Sequence, residues 1–438
     1  MHNNKIDESP LSSLQIIVIG ICFVLNMLDG MDVLAISFSA TVLTEEWSIT
    51  REELGFVFSA ALVGMTIGAV FISPITDTIG RRKMIMISLV MITAGMIATT
   101  FADSVFSMGI LRLLTGLGIG SILASSTSMV SEYSPDRLRN FNITLYHSGY
   151  PIGAIIIGLI ATWLLPQYGW RPLFVLAGMT SLIMLPVVYF CLPESLDFLM
   201  TKRQPGTLEQ VNKILQRMHM APLDALPLAE IKTADTHGIK GFITRVIALL
   251  EKQRRLPTVM LWIAFMMSFA TLYFLVSWVP VLARDSGLAV ADALYAGVAM
   301  QLGAFVGTLV LGYISNRVGL RKVIYIYFFI AACVIVPYGF VKTSVAVVLI
   351  LIFILMYFVQ GSFAGLYIIA ARLYPTEIRT TGVGWAIGAG RIGAIFGPSI
   401  AGLLLGAGLP ISWTFVVFAI PMIVAGLTII NLRATEIS

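Results

Sequence analysis

Twelve long apolar runs constrain what this chain can fold into. Each run has about 20 residues, enough to cross a ~30 Å hydrocarbon core as an α-helix, and the first extends from Gln15 to Phe38. A segment in lipid must satisfy its own backbone N–H and C=O groups, so each run is predicted to be helical. Only 12% of the residues are charged, about half the share of a soluble protein. We therefore predict an all-α membrane protein with twelve transmembrane helices.

The basic residues predict its orientation. Of the 28 lysines and arginines, only Arg51, Arg171, Arg284 and Lys342 fall in loops on the side opposite the termini. Cytoplasmic loops are enriched in Lys and Arg. Both termini are therefore expected in the cytoplasm, with the chain in a cell membrane, the bacterial inner membrane.

A polar insert over residues 193–256 separates residues 1–192 from residues 257–438, with six predicted spans on each side. Thr207 and Gln210 have the spacing of a capping box at the start of an amphipathic helix. The stretch GFITRVIALLEKQRR, residues 241–255, suits a helix on the membrane surface because it is apolar on one side and basic at its end. We expect a cytoplasmic central loop with amphipathic helices, which serves as a tether or, alternatively, as a regulatory docking site.

The two halves contain matching segments. SPITDTIGRRK at residues 73–83 recurs as GYISNRVGLRK at residues 312–322, and PDRLR at 135–139 recurs as PTEIR at 375–379. Two matches at nearly the same offset indicate an internal duplication. We therefore predict two pseudo-symmetric six-helix bundles, with a binding site between them near the centre of the bilayer.

Four charged residues lie well inside predicted spans: Asp29 and Asp32 in the first, Arg112 in the fourth and Arg391 in the eleventh. A charge in hydrocarbon costs about 2.5–3.5 kcal/mol even on mild scales, so these side chains should face the protein interior. A carboxylate in a low dielectric binds a proton more readily. We predict that Asp29 and Asp32 couple transport to protons and that Arg112 tunes the proton affinity of Asp29. The alternative is an Asp–Arg pair that only holds helices together.

Arg391 is predicted to bind substrate. It lies about 18 Å beyond Arg379 along a helix, near the midplane. A lone guanidinium there suggests an anionic partner, and a carboxylate pairs with it bidentately. For His147 and the three aromatic candidates the alternative is ordinary packing, since buried aromatic and histidine side chains most often serve that purpose. The remaining predicted substrate-binding residues are Arg112, Asn26, His147, Tyr273, Trp278 and Trp385.

Three motifs carry a family resemblance. The loop from Asp77 to Arg82 resembles the signature loop of the major facilitator superfamily, and the likeness extends over essentially the whole chain. Within that superfamily, DGMD at 29–32 and YPTEIRTTGVGWAIGAGRIGAIFGP at 374–398 resemble the aromatic acid:proton symporters. The resemblance implies the major facilitator fold, proton coupling at the first-helix acids and a substrate site in or beside Arg391.

The resemblance also implies a cytoplasmic gate in the loop after the second helix. The echo of this loop in the second half has Asn316 and Leu320 in place of the usual Asp and Arg, so the gate is expected to depend mainly on the first half. The predicted gate residues are Asp77, Gly80, Arg81, Arg82, Glu132 and Arg379.

Together these features predict a symporter that imports a small aromatic carboxylate, such as a hydroxybenzoate, by alternating access. The proton gradient supplies the energy, and no cofactor or metal is expected. The alternatives are a proton symporter of a non-aromatic organic acid or other metabolite, an efflux antiporter and a membrane sensor. The sequence contains no nucleophile, metal or phosphate-loop constellation, so we expect no enzyme activity. We also expect a monomer that binds no nucleic acid.

Overall fold

A computed structural model describes residues 11–202, 205–226, 249–252, 254–285, 288–341, 344–374 and 379–432. Within these ranges the regular structure is entirely helical. Twelve of the described helices are long and apolar enough to cross a membrane. The predicted all-α class and the number of spans are therefore confirmed.

We number the spanning helices α1 to α12. The first six are α1 Ser13–Trp47, α2 Arg51–Ile67, α3 Arg81–Thr99, α4 Val105–Glu132, α5 Asp136–Tyr168 and α6 Arg171–Cys191. The second six are α7 Arg255–Asp285, α8 Val290–Val318, α9 Leu320–Phe340, α10 Val345–Leu373, α11 Arg379–Gly406 and α12 Ile411–Asn431. Helix α1 extends beyond the predicted Phe38 to Trp47, because a helix keeps its backbone hydrogen bonds wherever the next residues tolerate the conformation.

Equivalent glycines make equivalent helix contacts in the two halves. A Cβ at Gly64 of α2 would collide with the carbonyl oxygen of Leu113 in α4, and a Cβ at Gly303 of α8 would collide with that of Phe353 in α10. Small residues allow backbones in membranes to approach this closely. The glycine positions differ by 239 and their partners by 240, the offsets of the sequence repeat, so the duplication extends to helix packing.

The repeated loops after α2 and α8 also share a conformation. Gly80 has φ 102° and Gly319 has φ 98°, values that side-chain-bearing residues rarely adopt. After each glycine, an arginine donates hydrogen bonds to backbone carbonyls at the end of the last helix of its half. Arg82 binds the carbonyl of Tyr189 in α6, and Arg321 binds that of Ile429 in α12 at 3.1 Å. Each loop is therefore hydrogen-bonded to the last helix of its own half.

The chain forms two compact units. The first contains residues 1–33, 63–156 and 171–231, and the second contains residues 34–62, 157–170 and 232–438. Parts of α1, α2 and α5 belong to the second unit because they pack on its helices: the Ser37 hydroxyl donates to the carbonyl of Val276 at 2.9 Å, and that of Ser59 to Ile395 at 2.7 Å. The predicted division into residues 1–192, 193–256 and 257–438 follows the internal repeat and not the packing of the helices. It stays a prediction.

The described part of the insert between the halves carries two short helices, Leu196–Lys202 and Thr207–Arg217. Val211, Ile214 and Leu215 of the second are buried, as its amphipathic pattern predicts. The predicted capping role of Thr207 is wrong. Gly206, with φ 82°, caps this helix without a side-chain hydrogen bond, and Thr207 is its first residue. The predicted surface helix at 241–255 lies mostly outside the described residues.

Candidate functional site

An ion pair joins α1 to α4 in the first unit. Nη1 of Arg112 lies 2.6 Å from Oδ1 of Asp32, and the two side chains are 0% and 1% exposed. Arg112 therefore pairs with Asp32 inside the protein, the arrangement given above as the alternative, and its predicted effect on Asp29 stays a prediction. Two buried opposite charges lower each other's cost only when the remaining hydrogen bonds are also satisfied.

Neighbouring side chains contact Arg112 from several helices, although its buried Nε has no hydrogen-bond partner among the described residues. Its Nη2 donates to the hydroxyl of Thr99 at 2.7 Å and to that of Thr115 at 3.2 Å. The ring of Phe174 in α6 covers the guanidinium, with its centroid 5.0 Å from Cζ. Helices α1, α3, α4 and α6 thus all contact one charge. This arrangement orients Arg112 toward Asp32 and holds both residues in place.

The polar stripe of α1 lies against α5. Oδ1 of Asn26 accepts a hydrogen bond from the backbone N–H of Tyr150 at 2.8 Å. A Cβ at Gly30 would collide with the carbonyl oxygen of Tyr150, so the glycine between the two acids permits this backbone approach. Asp29 is 5% exposed and therefore also buried. In this structure Asn26 joins two helices, and Asp29 lies one turn of α1 away from it.

His147, the one predicted substrate residue on α5, is exposed. Its ring lies 4.7 Å from that of Tyr146, in an edge-to-face contact. Tyr146 itself is fully buried. His147 therefore keeps accessible surface, while the Tyr146 hydroxyl donates to the carbonyl of Leu123 in α4 at 3.3 Å.

Arg391 occupies an aromatic environment in the second unit. Its Cζ lies 5.9 Å from the ring centroid of Phe269 in α7. Nη1 of Arg391 is buried and has no hydrogen-bond partner among the described residues. A Cβ at Gly390 would collide with the Phe269 ring, so the adjacent glycine allows α7 and α11 to meet here. A buried cationic donor without an acceptor is costly unless a ligand supplies one.

The three predicted aromatic residues have different surroundings. Tyr273 stacks on Phe269 at 5.8 Å and is half-buried, so it belongs to the environment of Arg391. Trp278 is fully buried, and its indole N–H donates to the carbonyl of Pro398 at 3.0 Å. Trp385 is 38% exposed and stacks on Trp262 at 5.7 Å. Tyr273 and Trp385 thus retain accessible ring surface, whereas Trp278 packs α7 against α11.

Four of the six predicted gate residues lie together at the start of α3 and the end of α4. Nε of Arg81 lies 3.5 Å from Oε1 of Glu132, at the end of α4. The backbone N–H of Arg82 donates to Oε1 of Glu194 at 3.1 Å. A Cβ at Gly80 would collide with the Glu194 carboxylate. The side chains of the remaining gate candidates, Asp77 and Arg379, lie outside the described part of the structure.

Sequence reasoning missed two members of this cluster, Glu194 and Ser195. They follow α6, and the hydroxyl of Ser195 donates to Oε2 of Glu132. The hydroxyl of Tyr133 donates to the carbonyl of Glu194 at 2.7 Å. One signal could have revealed them: the carboxylate in CLPESL comes immediately after a spanning helix, on the side where the basic loops collect.

The end of α2 is irregular just before this cluster. Residues Gly68–Ile72 form a π-helical turn and Ser73–Ile75 a 3₁₀ turn, followed by the short helix Thr76–Ile79. The corresponding end of α8 stays α-helical to Val318. Single π turns inside α-helices frequently mark functional sites. The expectation that the gate depends mainly on the first half stays a prediction.

In the described residues, no group of three His, Cys, Asp or Glu side chains could hold a metal ion. The Asp32–Arg112 pair belongs to the first unit and Arg391 to the second. Their predicted convergence on one cavity stays a prediction.

Comparison with known proteins finds one family and relatives that are named as transporters of aromatic acids. The family model described as Major Facilitator Superfamily matches residues 21–356 and 261–437. The 4-hydroxybenzoate transporter PcaK of Acinetobacter baylyi is 33% identical over 94% of this chain and 88% of its own length. The gallate transporter of Pseudomonas putida is 31% identical over 98% of this chain and 95% of its own.

Solved structures share the fold. The xylose transporter XylE from E. coli in an inward open conformation matches with a TM-score of 0.73, covering 94% of this chain and 95% of that chain at 17% identity. A D-xylose-proton symporter matches with a TM-score of 0.73, covering 97% of this chain and 99% of that chain at 16% identity. At these identities the likeness establishes the fold alone.

Proposed function

Because this chain belongs to the Major Facilitator Superfamily, we propose that it imports a small aromatic carboxylate, such as a hydroxybenzoate, together with protons by alternating access. Family membership makes it a multi-pass membrane transport protein and not an enzyme. The relatives named as 4-hydroxybenzoate and gallate transporters support the substrate class. The proposal includes a bacterial inner-membrane location, cytoplasmic termini and a monomer that needs no cofactor.

One observation supports an anionic substrate above all: the buried Nη1 of Arg391 has no acceptor among the described residues. A carboxylate would supply that acceptor and neutralise the guanidinium. Phe269 and Tyr273 would receive the aromatic ring beside it, because aromatic rings gain from stacked and edge-to-face contacts beyond simple burial.

The ion pair divides the roles of the two acids. A proton on Asp32 would leave the buried charge of Arg112 without its counterion, which is strongly unfavourable. We therefore assign the transported proton to Asp29 and the positioning of Arg112 to Asp32. With one proton per monoanion, transport is electroneutral. Each further proton would gain about 2.3 kcal/mol per 100 mV of membrane potential.

Uptake into proteoliposomes tests the proposal. Labelled aromatic and aliphatic acids are offered with and without an inward proton gradient. We expect 4-hydroxybenzoate to accumulate only with the gradient, and a protonophore to abolish that accumulation. Equal uptake of aliphatic acids would favour the organic-acid alternative, and substrate leaving against inward proton flow would favour the antiporter.

Arg391→Ala tests the anion site. We expect it to weaken binding of 4-hydroxybenzoate far more than binding of the neutral 4-hydroxybenzamide, because only the acid uses the guanidinium charge. Arg317→Ala is the matched control, since Arg317 lies exposed over the ring of Tyr313 in the same unit. An equal loss for acid and amide in Arg391→Ala would make Arg391 structural.

A further inference from the structure

Four aromatic side chains from α7 and α10 form a connected cluster next to Arg391. Phe269 contacts Phe363 edge-to-face at 4.7 Å. Tyr367 is held in the same way by Phe363 at 5.2 Å and by Phe265 at 5.3 Å. Because Phe269 also lies under the guanidinium, the cluster connects the charge of Arg391 to the ring of Tyr367 through continuous aromatic contact.

Tyr367 differs from its phenylalanine neighbours by one hydroxyl. Its side chain is half-buried, and the hydroxyl makes no hydrogen bond with any described residue. Tyr367 lies within electrostatic range of both Arg391 and Tyr273. A tyrosine hydroxyl in a protein interior usually finds a partner. The Tyr327 and Tyr357 hydroxyls, for example, pair with each other at 3.1 Å in the same unit.

Packing by Phe265 and Phe363 restricts the orientation of the Tyr367 ring, so its hydroxyl is held in place before a ligand arrives. A polar group that is already oriented loses little conformational entropy on binding. Phenylalanine would complete the same edge-to-face cluster equally well. The hydroxyl is therefore the one feature of this position that the packing of the described residues does not use.

We propose that the Tyr367 hydroxyl recognises a hydroxyl substituent on the ring of the transported acid. This inference rests on the proposed function, in which Arg391 holds the carboxylate of the substrate. The substrate ring then lies along Phe269 and Phe363, and its hydroxyl reaches Tyr367. A phenolic hydroxyl can both donate and accept, so either group can serve as donor. The site would thus prefer hydroxylated aromatic carboxylates over unsubstituted benzoate.

Tyr367→Phe tests this selectivity because it removes only the hydroxyl. We expect the uptake of 4-hydroxybenzoate relative to benzoate to fall about threefold to tenfold, the range of one net hydrogen bond. Benzoate uptake should fall less than 4-hydroxybenzoate uptake, because benzoate has no ring hydroxyl that loses a partner. Tyr357→Phe is the matched control, since it removes a hydroxyl from the same helix that is already paired with Tyr327; its uptake ratio should not change.

A second measurement needs no variant. Unlabelled benzoate should compete with labelled 4-hydroxybenzoate about threefold to tenfold less well than unlabelled 4-hydroxybenzoate does. Equal competition by the two acids would overturn the inference, as would equal loss of both substrates in Tyr367→Phe or an unchanged ratio. If the wild-type protein accumulates no aromatic acid, the proposed function fails as well. Aromatic uptake without preference for the hydroxyl contradicts only this inference.

Discussion

Arg112 of α4 and Asp32 of α1 form a buried ion pair with 2.6 Å between Nη1 and Oδ1. The two acids of α1 are three residues apart and chemically identical, yet the guanidinium takes this contact with Asp32. Thr99, Thr115 and Phe174 surround its other faces. A charge held from so many directions is suited to fixed positioning, which supports our proposal that Asp29, and not Asp32, carries the transported proton.

Replacing one partner of this ion pair should destabilise the protein more than the pair contributes when both partners are replaced together. We expect Arg112→Gln or Asp32→Asn alone to cost about 3–5 kcal/mol, since each leaves a buried charge uncompensated. The double variant should be more stable than the sum of the two single losses implies. Thermal unfolding of the four proteins in detergent, treated as a double-mutant cycle, measures the coupling. Strictly additive losses would show that the two charges do not stabilise each other.

Asp29→Asn should separate substrate movement from proton coupling. We expect gradient-driven accumulation of 4-hydroxybenzoate to be lost while exchange of labelled for unlabelled substrate continues, because exchange needs no net proton transfer. Both processes are measured in the same proteoliposomes. The unfolding temperature should stay close to wild type, in contrast to Asp32→Asn. Normal accumulation in Asp29→Asn would remove this acid from the coupling mechanism.

Gly80→Ala should impair the cluster at the start of α3. The substitution forces a side chain into a backbone conformation that costs about 1–3 kcal/mol and also pushes the Glu194 carboxylate away. Gly319→Ala is the control, since it has a similar φ but no atom within 4 Å of the added Cβ. We expect both variants to lower the unfolding temperature and only Gly80→Ala to change the uptake rate. If both variants changed the uptake rate equally, the contact between Gly80 and Glu194 would have no specific role in transport.

Gly393→Ala tests the close contact between α7 and α11. The added methyl group would collide with the carbonyl oxygen of Met266, and overpacking of this kind costs about 1–3 kcal/mol. Gly384→Ala on the same helix has no atom within 4 Å of the new Cβ. It should be neutral or stabilising by up to about 1 kcal/mol. Equal unfolding temperatures for the two variants would contradict the observed helix contact.

Much of the architecture was predictable because its cause is local. Lipid satisfies no backbone hydrogen bonds, so each apolar run had to be a helix, and the number of spans follows from counting them. The repeat was also visible in the sequence, and Gly80 and Gly319 share their backbone conformation because the same loop occurs twice. Charged residues inside the spans identified Asp29, Asp32, Arg112 and Arg391 as candidates by their cost alone.

Other features depend on how the helices are rotated and packed. Helical spacing placed Asp29 and Asp32 on one stripe, but only the tertiary structure directs Arg112 to Asp32. Glu194 is far from Arg82 in the sequence and reaches it because α6 ends beside α3. Phe363 and Tyr367 carry no signal that distinguishes them from ordinary apolar residues of α10. Hydrophobicity decides that a segment is buried and helical, whereas the partner of each side chain is decided by contacts between segments distant in the sequence.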